Sequence, residues 1–264
     1  ILVGAGSYDE NVIMHNPVRL QGAGVAVTSI LANPTPAERL AVWHADVQTL
    51  LGNDPFAANE APGILVIAAS DFITPGPERF IDGFTLTGSI SGGGIYVHSD
   101  IHNLVISNNE IFNNQGIFAG VIVIGTPDTG LDANNDNLII RGNRIAQNGG
   151  IQGAGGLAIY NGADGYLVED NLIIGNFSRF SGGGMAHVGL SDGGVIKNNR
   201  ILFNEVFYGL LLTGAGDAGG IYLAGEVIDG DGAGSVTVEG NKIQGNLAGS
   251  GDGGGIRTFA FNAA

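Results

Sequence analysis

Short runs of alternating apolar and polar residues recur along the chain, and five of them lead into one six-residue phrase, Asn-x-Ile-x-x-Asn. The copies are Asn109–Asn114, Asn143–Asn148, Asn171–Asn176, Asn199–Asn204 and Asn241–Asn246, so successive first asparagines lie 34, 28, 28 and 42 residues apart. Three residues before that asparagine stand Ile106, Ile140, Val168, Ile196 and Val238; two residues after it stand Ile111, Ile145, Ile173, Ile201 and Ile243. Side chains alternate faces along a strand, so each set keeps one parity and is expected to form an inward aliphatic stack, one residue per turn, at a strand spacing of about 4.8 Å. A unit of this size, repeated with insertions, is the mark of a solenoid.

A glycine-rich corner and a second run follow each phrase. Examples are Gly94-Ile95-Tyr96-Val97, Gly120-Val121-Ile122-Val123, Gly156-Leu157-Ala158-Ile159, Gly184-Met185-Ala186-His187 and Gly220-Ile221-Tyr222-Leu223. Glycine is expected at these corners for its tolerance of positive φ. Strands that return once per turn must run parallel, and stacked turns bury a core that no single turn could. This combination resembles the right-handed parallel β-helix of the pectin-lyase-like superfamily, and the resemblance extends to the opening Gly6-Ser7-Tyr8-Asp9-Glu10-Asn11-Val12-Ile13.

One segment breaks the pattern. Leu40, Trp43, His44, Val47, Leu50 and Leu51 recur at helical spacing between Pro36 and Gly52, which predicts an amphipathic helix laid on the side of the solenoid. The expected fold class is all-β, a right-handed parallel β-helix solenoid with one short inserted amphipathic helix. It forms a single domain over residues 1–264, with the inserted helix and loop at 34–63 and regular asparagine-ladder turns at about 81–261. Both ends read as cut from a longer chain.

Composition narrows the function classes. The formal net charge is −15, which argues against a nucleic-acid partner, because phosphates would be repelled. The chain has no cysteine, so thiolate metal sites, a cysteine nucleophile and disulfides are excluded. No apolar run is long enough to span a membrane as a helix.

The outward positions carry the candidate chemistry. Two residues before each asparagine stand Ser107, Arg141, Glu169, Lys197 and Glu239, whose alternating signs suit cross-strand pairing. Four residues before it stand Val105, Ile139, Leu167, Val195 and Thr237, an aligned outward row that is apolar in four turns; either loops cover it or another protein surface does, and the second makes it an assembly surface. Tyr96, Tyr160 and Tyr222 share the second run or its end; they are candidates for stacking on sugar rings or, as the alternative, form outer stacks that stiffen the sheet. His187 takes an inward position and is expected in the core.

Acidic residues gather after the second run. Asp128, Asp132 and Asp136 are catalytic candidates, and Glu226, Asp229 and Asp231 are candidate ligands for Ca²⁺, which needs six to eight oxygens. The resemblance implies a polyuronate lyase with Ca²⁺ and an arginine base, or a hydrolase with paired aspartates. Arg144, Arg200 and Lys242 form a basic row, but on a different face from the acidic loops, and no stretch matches a catalytic motif of the family. The functional expectation is an extracellular or cell-surface module, bacterial in origin, with a structural, assembly or adhesion role and glycan contact. Its expected partners are further copies, other surface proteins or polysaccharide. The alternative is a polysaccharide-active lyase, epimerase or hydrolase that uses the acidic loops with Ca²⁺.

Overall fold

A computed structural model describes residues 1–33, 36–52, 60–68, 79–126, 132–151, 153–207, 217–225, 231–249 and 251–261. Within them the chain winds through four parallel sheets in a fixed order. One turn runs from Leu104–Ser107 in sheet A to Glu110–Phe112 in sheet B, then Gln115–Gly116 in sheet D, then Ile122–Ile124 in sheet C. Ile139–Arg141 then lies beside Leu104–Ser107 and begins the next turn. Sheets A, B and C each stack eight strands, and the narrow sheet D stacks five. The same three sheets reach back to Leu2–Val3, Gly6–Tyr8 and Val12–Met14, so the opening segment forms a turn of the same solenoid.

The aliphatic stacks stand where the parity of the sequence puts them. Ile81, Ile106, Ile140, Val168 and Ile196 pair in register, as do Leu86, Ile111, Ile145, Ile173 and Ile201, and all ten are closed to solvent. His187 joins the third stack. It is fully buried, with its ring nitrogens 2.9 Å from the Tyr166 hydroxyl and 2.9 Å from the Ala233 carbonyl oxygen. Burial is the main cause that keeps its pKa below the usual histidine value.

Both asparagines of the phrase form buried ladders. The Asn143 side chain donates to the Ile106 carbonyl and to Asn171 Oδ1, while its own Oδ1 accepts from Asn109. The pattern repeats through Asn199 to Asn241, and a second ladder runs from Asn114 to Asn246. Polar groups that the corner would bury without partners are thereby satisfied. The residue just before the first ladder asparagine takes positive φ, and it is Asn108, Gly142, Asp170, Asn198 or Gly240. Those types tolerate the left-handed region best.

The glycines before the sheet C strands have a different reason from the expected one. Gly156 and Gly184 do not take positive φ. A Cβ on Gly156 would stand 2.4 Å from the Gly184 carbonyl oxygen, and one on Gly184 would stand 2.9 Å from that of Gly220. Close approach of successive turns excludes a side chain there. A second correction concerns register. Ile122, Val123 and Ile124 pair with Ile95, Tyr96 and Val97, so the strand starts one residue later than the glycine alignment predicts. Ile124, not Val123, therefore points inward beside Val97, since a one-residue slip exchanges faces.

Helix α1 spans Ala37–Leu51, with Pro36 before it and Gly52 at its C-terminal cap. It is inserted between the sheet B and sheet C strands of the second turn. Trp43 and Val47 are buried in a second core on the outer face of sheet C, with Leu65, Tyr96, Val123, Ala158 and Ala186. Leu50, expected on the packed stripe, is 44% exposed.

Candidate functional site

The outer face of sheet A carries two aligned rows. Phe80, Val105, Ile139, Leu167 and Val195 pair in register to form the apolar one, which ends at Thr237. Phe80, Ile139, Leu167 and Val195 are half-buried. Val105 departs from the expectation: it is only 6% exposed, between the larger side chains of Phe80 and Ile139. Beside this row runs the polar one, Asp82, Ser107, Arg141, Glu169, Lys197 and Glu239. Lys197 Nζ lies 3.3 Å from Glu169 Oε2, the cross-strand pairing expected from the alternating signs. Such open pairs contribute little stability, about 0–1 kcal/mol.

At the N-terminal end of the face the rows frame a recess of about 170 Å³, lined by Gln21, Phe80, Asp82, Val105, Ser107, Asn108 and Arg141. Asp82 organises it. One carboxylate oxygen accepts from Gln21 Nε2 at 2.7 Å; the other accepts from Ser107 Oγ at 2.6 Å and from Asn108 Nδ2 at 2.7 Å. Partial burial opposes the charged form. The three donors, with the Arg141 charge nearby, outweigh it and hold the carboxyl below its usual range. The recess thus presents a fixed carboxylate, a guanidinium and one aromatic ring. The phrase alignment starts at Asn109, so Asp82 in the turn before it was not found from the sequence.

The acidic loops are organised differently. Asp136 Oδ1 accepts from the Asp164 amide at 3.2 Å, Asp164 Oδ1 from the Asp192 amide at 2.7 Å, and Asp192 Oδ1 from the Ser235 amide at 2.8 Å. Each carboxylate therefore caps the backbone of the next turn. Asp132 Oδ1 accepts from the Asn134 amide two residues on, at 2.7 Å. Burial, helped by the charges of Asp164 and Asp132, raises the pKa of Asp136 despite His102 Nδ1 at 3.3 Å. Asp231 is exposed; Asp128, Glu226 and Asp229 lie outside the described residues. Among the described residues no group of three or more His, Asp or Glu side chains converges on a metal position.

The aromatic candidates need correction. Tyr96 is 1% exposed and Tyr160 is 6% exposed, both inside the second core, with the Tyr160 hydroxyl donating to the Phe118 carbonyl at 2.9 Å. Neither offers a ring face to a sugar. Parity sets the face of a side chain and not its exposure: helix α1 and the Phe118–Ala119 segment cover that face. Tyr222, further along the same row, stays half-buried. Arg144, Arg200 and Lys242 share one column on sheet B, apart from the acidic loops, and Arg144 Nη1 lies 3.3 Å from Glu110 Oε1.

Parallel sheets, one buried residue per turn in each stack and paired asparagine ladders define a parallel β-helix. The chain belongs to that family: the family model described as a right handed beta helix region matches residues 81–260. No curated protein and no solved structure matches the chain significantly. No helix among the described residues is long and apolar enough to cross a membrane.

Proposed function

We propose that this β-helix is a non-catalytic docking module of the extracellular space or cell surface, which binds other surface molecules through the outer face of sheet A. The observation that carries this reading is the in-register apolar row Phe80–Val105–Ile139–Leu167–Val195 beside the charged row. An aligned apolar row along a rigid solenoid suits a partner that contacts successive turns, whereas scattered apolar residues would call for no partner. The recess around Asp82 adds a polar contact at one end, with donors and acceptors suited to saccharide hydroxyls.

The acidic loops support a structural role for Asp136, Asp164 and Asp192, since one oxygen of each accepts from a backbone amide of the neighbouring turn. A product assay tests the reading. The purified chain is incubated with neutral and acidic polysaccharides, with and without Ca²⁺, and products are read by mass spectrometry. No new fragments are expected. Unsaturated or hydrolysed fragments would replace docking with catalysis and direct attention to Asp132 and Asp136.

A further inference from the structure

Sheet D presents a second, separate surface. Gly149, Phe177, Glu205 and Leu247 pair in one column, and Gly150, Ser178, Val206 and Ala248 form the inward column beside it. Two residues beyond the first column, on the same outer face, the backbone bonds continue the register through Ile151, Arg179, Phe207 and Gly249. Ile151, Phe177, Phe207 and Leu247 are 48%, 39%, 50% and 53% exposed, and Arg179 is also exposed. The Phe177 and Phe207 rings meet edge to face, with centroids 5.8 Å apart. Arg179 lies over the Phe180 ring at 5.3 Å, and neither Arg179 nor Glu205 is in an ion pair among the described residues.

The four central residues form a two-by-two grid: Phe177 beside Arg179 in one turn, Glu205 beside Phe207 in the next. The phenylalanines occupy one diagonal and the opposite charges the other. We propose that this face pairs two copies of the chain about a two-fold axis lying along the phenylalanine diagonal. With strands about 4.8 Å apart and alternate residues about 6.8 Å apart, such an axis carries each remaining corner to within about 3 Å of the other. It sets Arg179 of each copy against Glu205 of the other and brings each phenylalanine against its equivalent. The same operation carries Ile151, one turn before the grid, opposite Leu247, one turn after it. Every outward side chain of the patch then meets its complement, as an isologous interface requires. A patch of charges on the other diagonal, or of one sign, would not close in this way.

The pairing is independent of the docking face on sheet A. The grid is a small core, at the low end of specific interfaces, so a dissociation constant on the order of micromolar is expected. Sedimentation velocity of the full 264-residue chain is the test, at concentrations of about 1–100 μM and about 0.15 M salt, where screening acts beyond about 8 Å. A species of twice the chain mass should grow with concentration. Arg179→Glu and Glu205→Arg, each with an unchanged circular dichroism spectrum, should weaken it at least about tenfold, because each sets like charges face to face. An equimolar mixture of the two variants should restore it, since both opposed pairs then carry opposite signs. A chain that stays monomeric overturns the proposal. So does a dimer indifferent to both charge reversals, or one that the mixture does not recover. Ile139→Lys, on sheet A, should leave this dimer intact; a dimer lost in that variant places the contact on sheet A and also overturns it.

Discussion

Asn171 and Asn199 are joined twice: Oδ1 of Asn199 accepts both the backbone amide and the side-chain Nδ2 of Asn171, each at 3.0 Å. Asn171 Oδ1 does the same for Asn143, at 2.9 and 3.0 Å. Each ladder rung therefore satisfies donors in the turn before it.

Asn171→Ala should cost more than the loss of one contact, because the buried Asn143 amide is left without an acceptor. Each unsatisfied buried donor costs about 1–3 kcal/mol, so a total of about 2–4 kcal/mol is expected. Asn246, in the last ladder turn, is half-buried, so water can replace its carbonyl oxygen. Asn246→Ala should cost about 1 kcal/mol or less by the same reasoning. Urea unfolding of both variants checks the contrast, and equal losses would refute the ladder as the source of the difference.

Glu60 sets a pH dependence of the opposite sign from ordinary acid denaturation. Both of its carboxylate oxygens are buried without a hydrogen bond, although the backbones of Ile117 and Gly92 lie nearby. Burial is the main cause and raises its pKa from 4.5 to about 7. The folded state then holds a proton that the unfolded state releases above pH 4.5, so stability falls as pH rises from 4.5 through 7. The loss from this group is on the order of 3 kcal/mol once pH exceeds the folded value. His187, kept neutral by burial, acts the other way and loses stability as pH falls below 6.5. The difference between wild type and Glu60→Gln isolates the carboxyl. It should shift in favour of the variant between pH 5 and pH 8, and a constant difference across that range would exclude the mechanism.

Gly156→Ala tests whether turn spacing, rather than backbone conformation, selects glycine. Its added methyl would meet the Gly184 carbonyl oxygen at 2.4 Å and Ile173 Cγ2 at 3.1 Å. Forcing atoms into a packed site costs typically about 1–3 kcal/mol. The thermal midpoint should drop accordingly. A gain, as is common where alanine replaces an unhindered glycine, would remove the steric explanation.

The sequence reading reached the parts of the fold that depend on local period. The phrase located the ladders, the parity of Ile111 and its counterparts located the core, and Pro36 and Gly52 bracketed the helix. It failed where one segment lies on another. Tyr96 points outward by parity, yet it is buried because the sheet C face carries Trp43, Val47 and Phe118. Sheet D went unnoticed because its strands are two residues long, too short for a period. Asp82 escaped because its importance rests on Gln21, 61 residues earlier, and on Ser107 and Asn108, 25 and 26 residues later.

The sheet A face yields a prediction separable from the two-fold pair on sheet D. Ile139 and Leu167 point outward and are half-buried, so lysine can lay its stem along Phe80, Val105 and Val195 and keep its charge in water. Ile139→Lys and Leu167→Lys should therefore change stability by little, within about 0.5–1 kcal/mol. A partner seated on the row would have to bury that charge without a counter-ion, which costs far more than the lost apolar contact. Both variants should accordingly lose retention on an immobilised polysaccharide panel, and any particles larger than a dimer should disappear from light scattering. Arg179→Glu should leave retention on the panel unchanged, because it acts on sheet D alone. Retention and particle size that survive both lysine variants would show that the apolar row stays bare in function and that docking lies elsewhere.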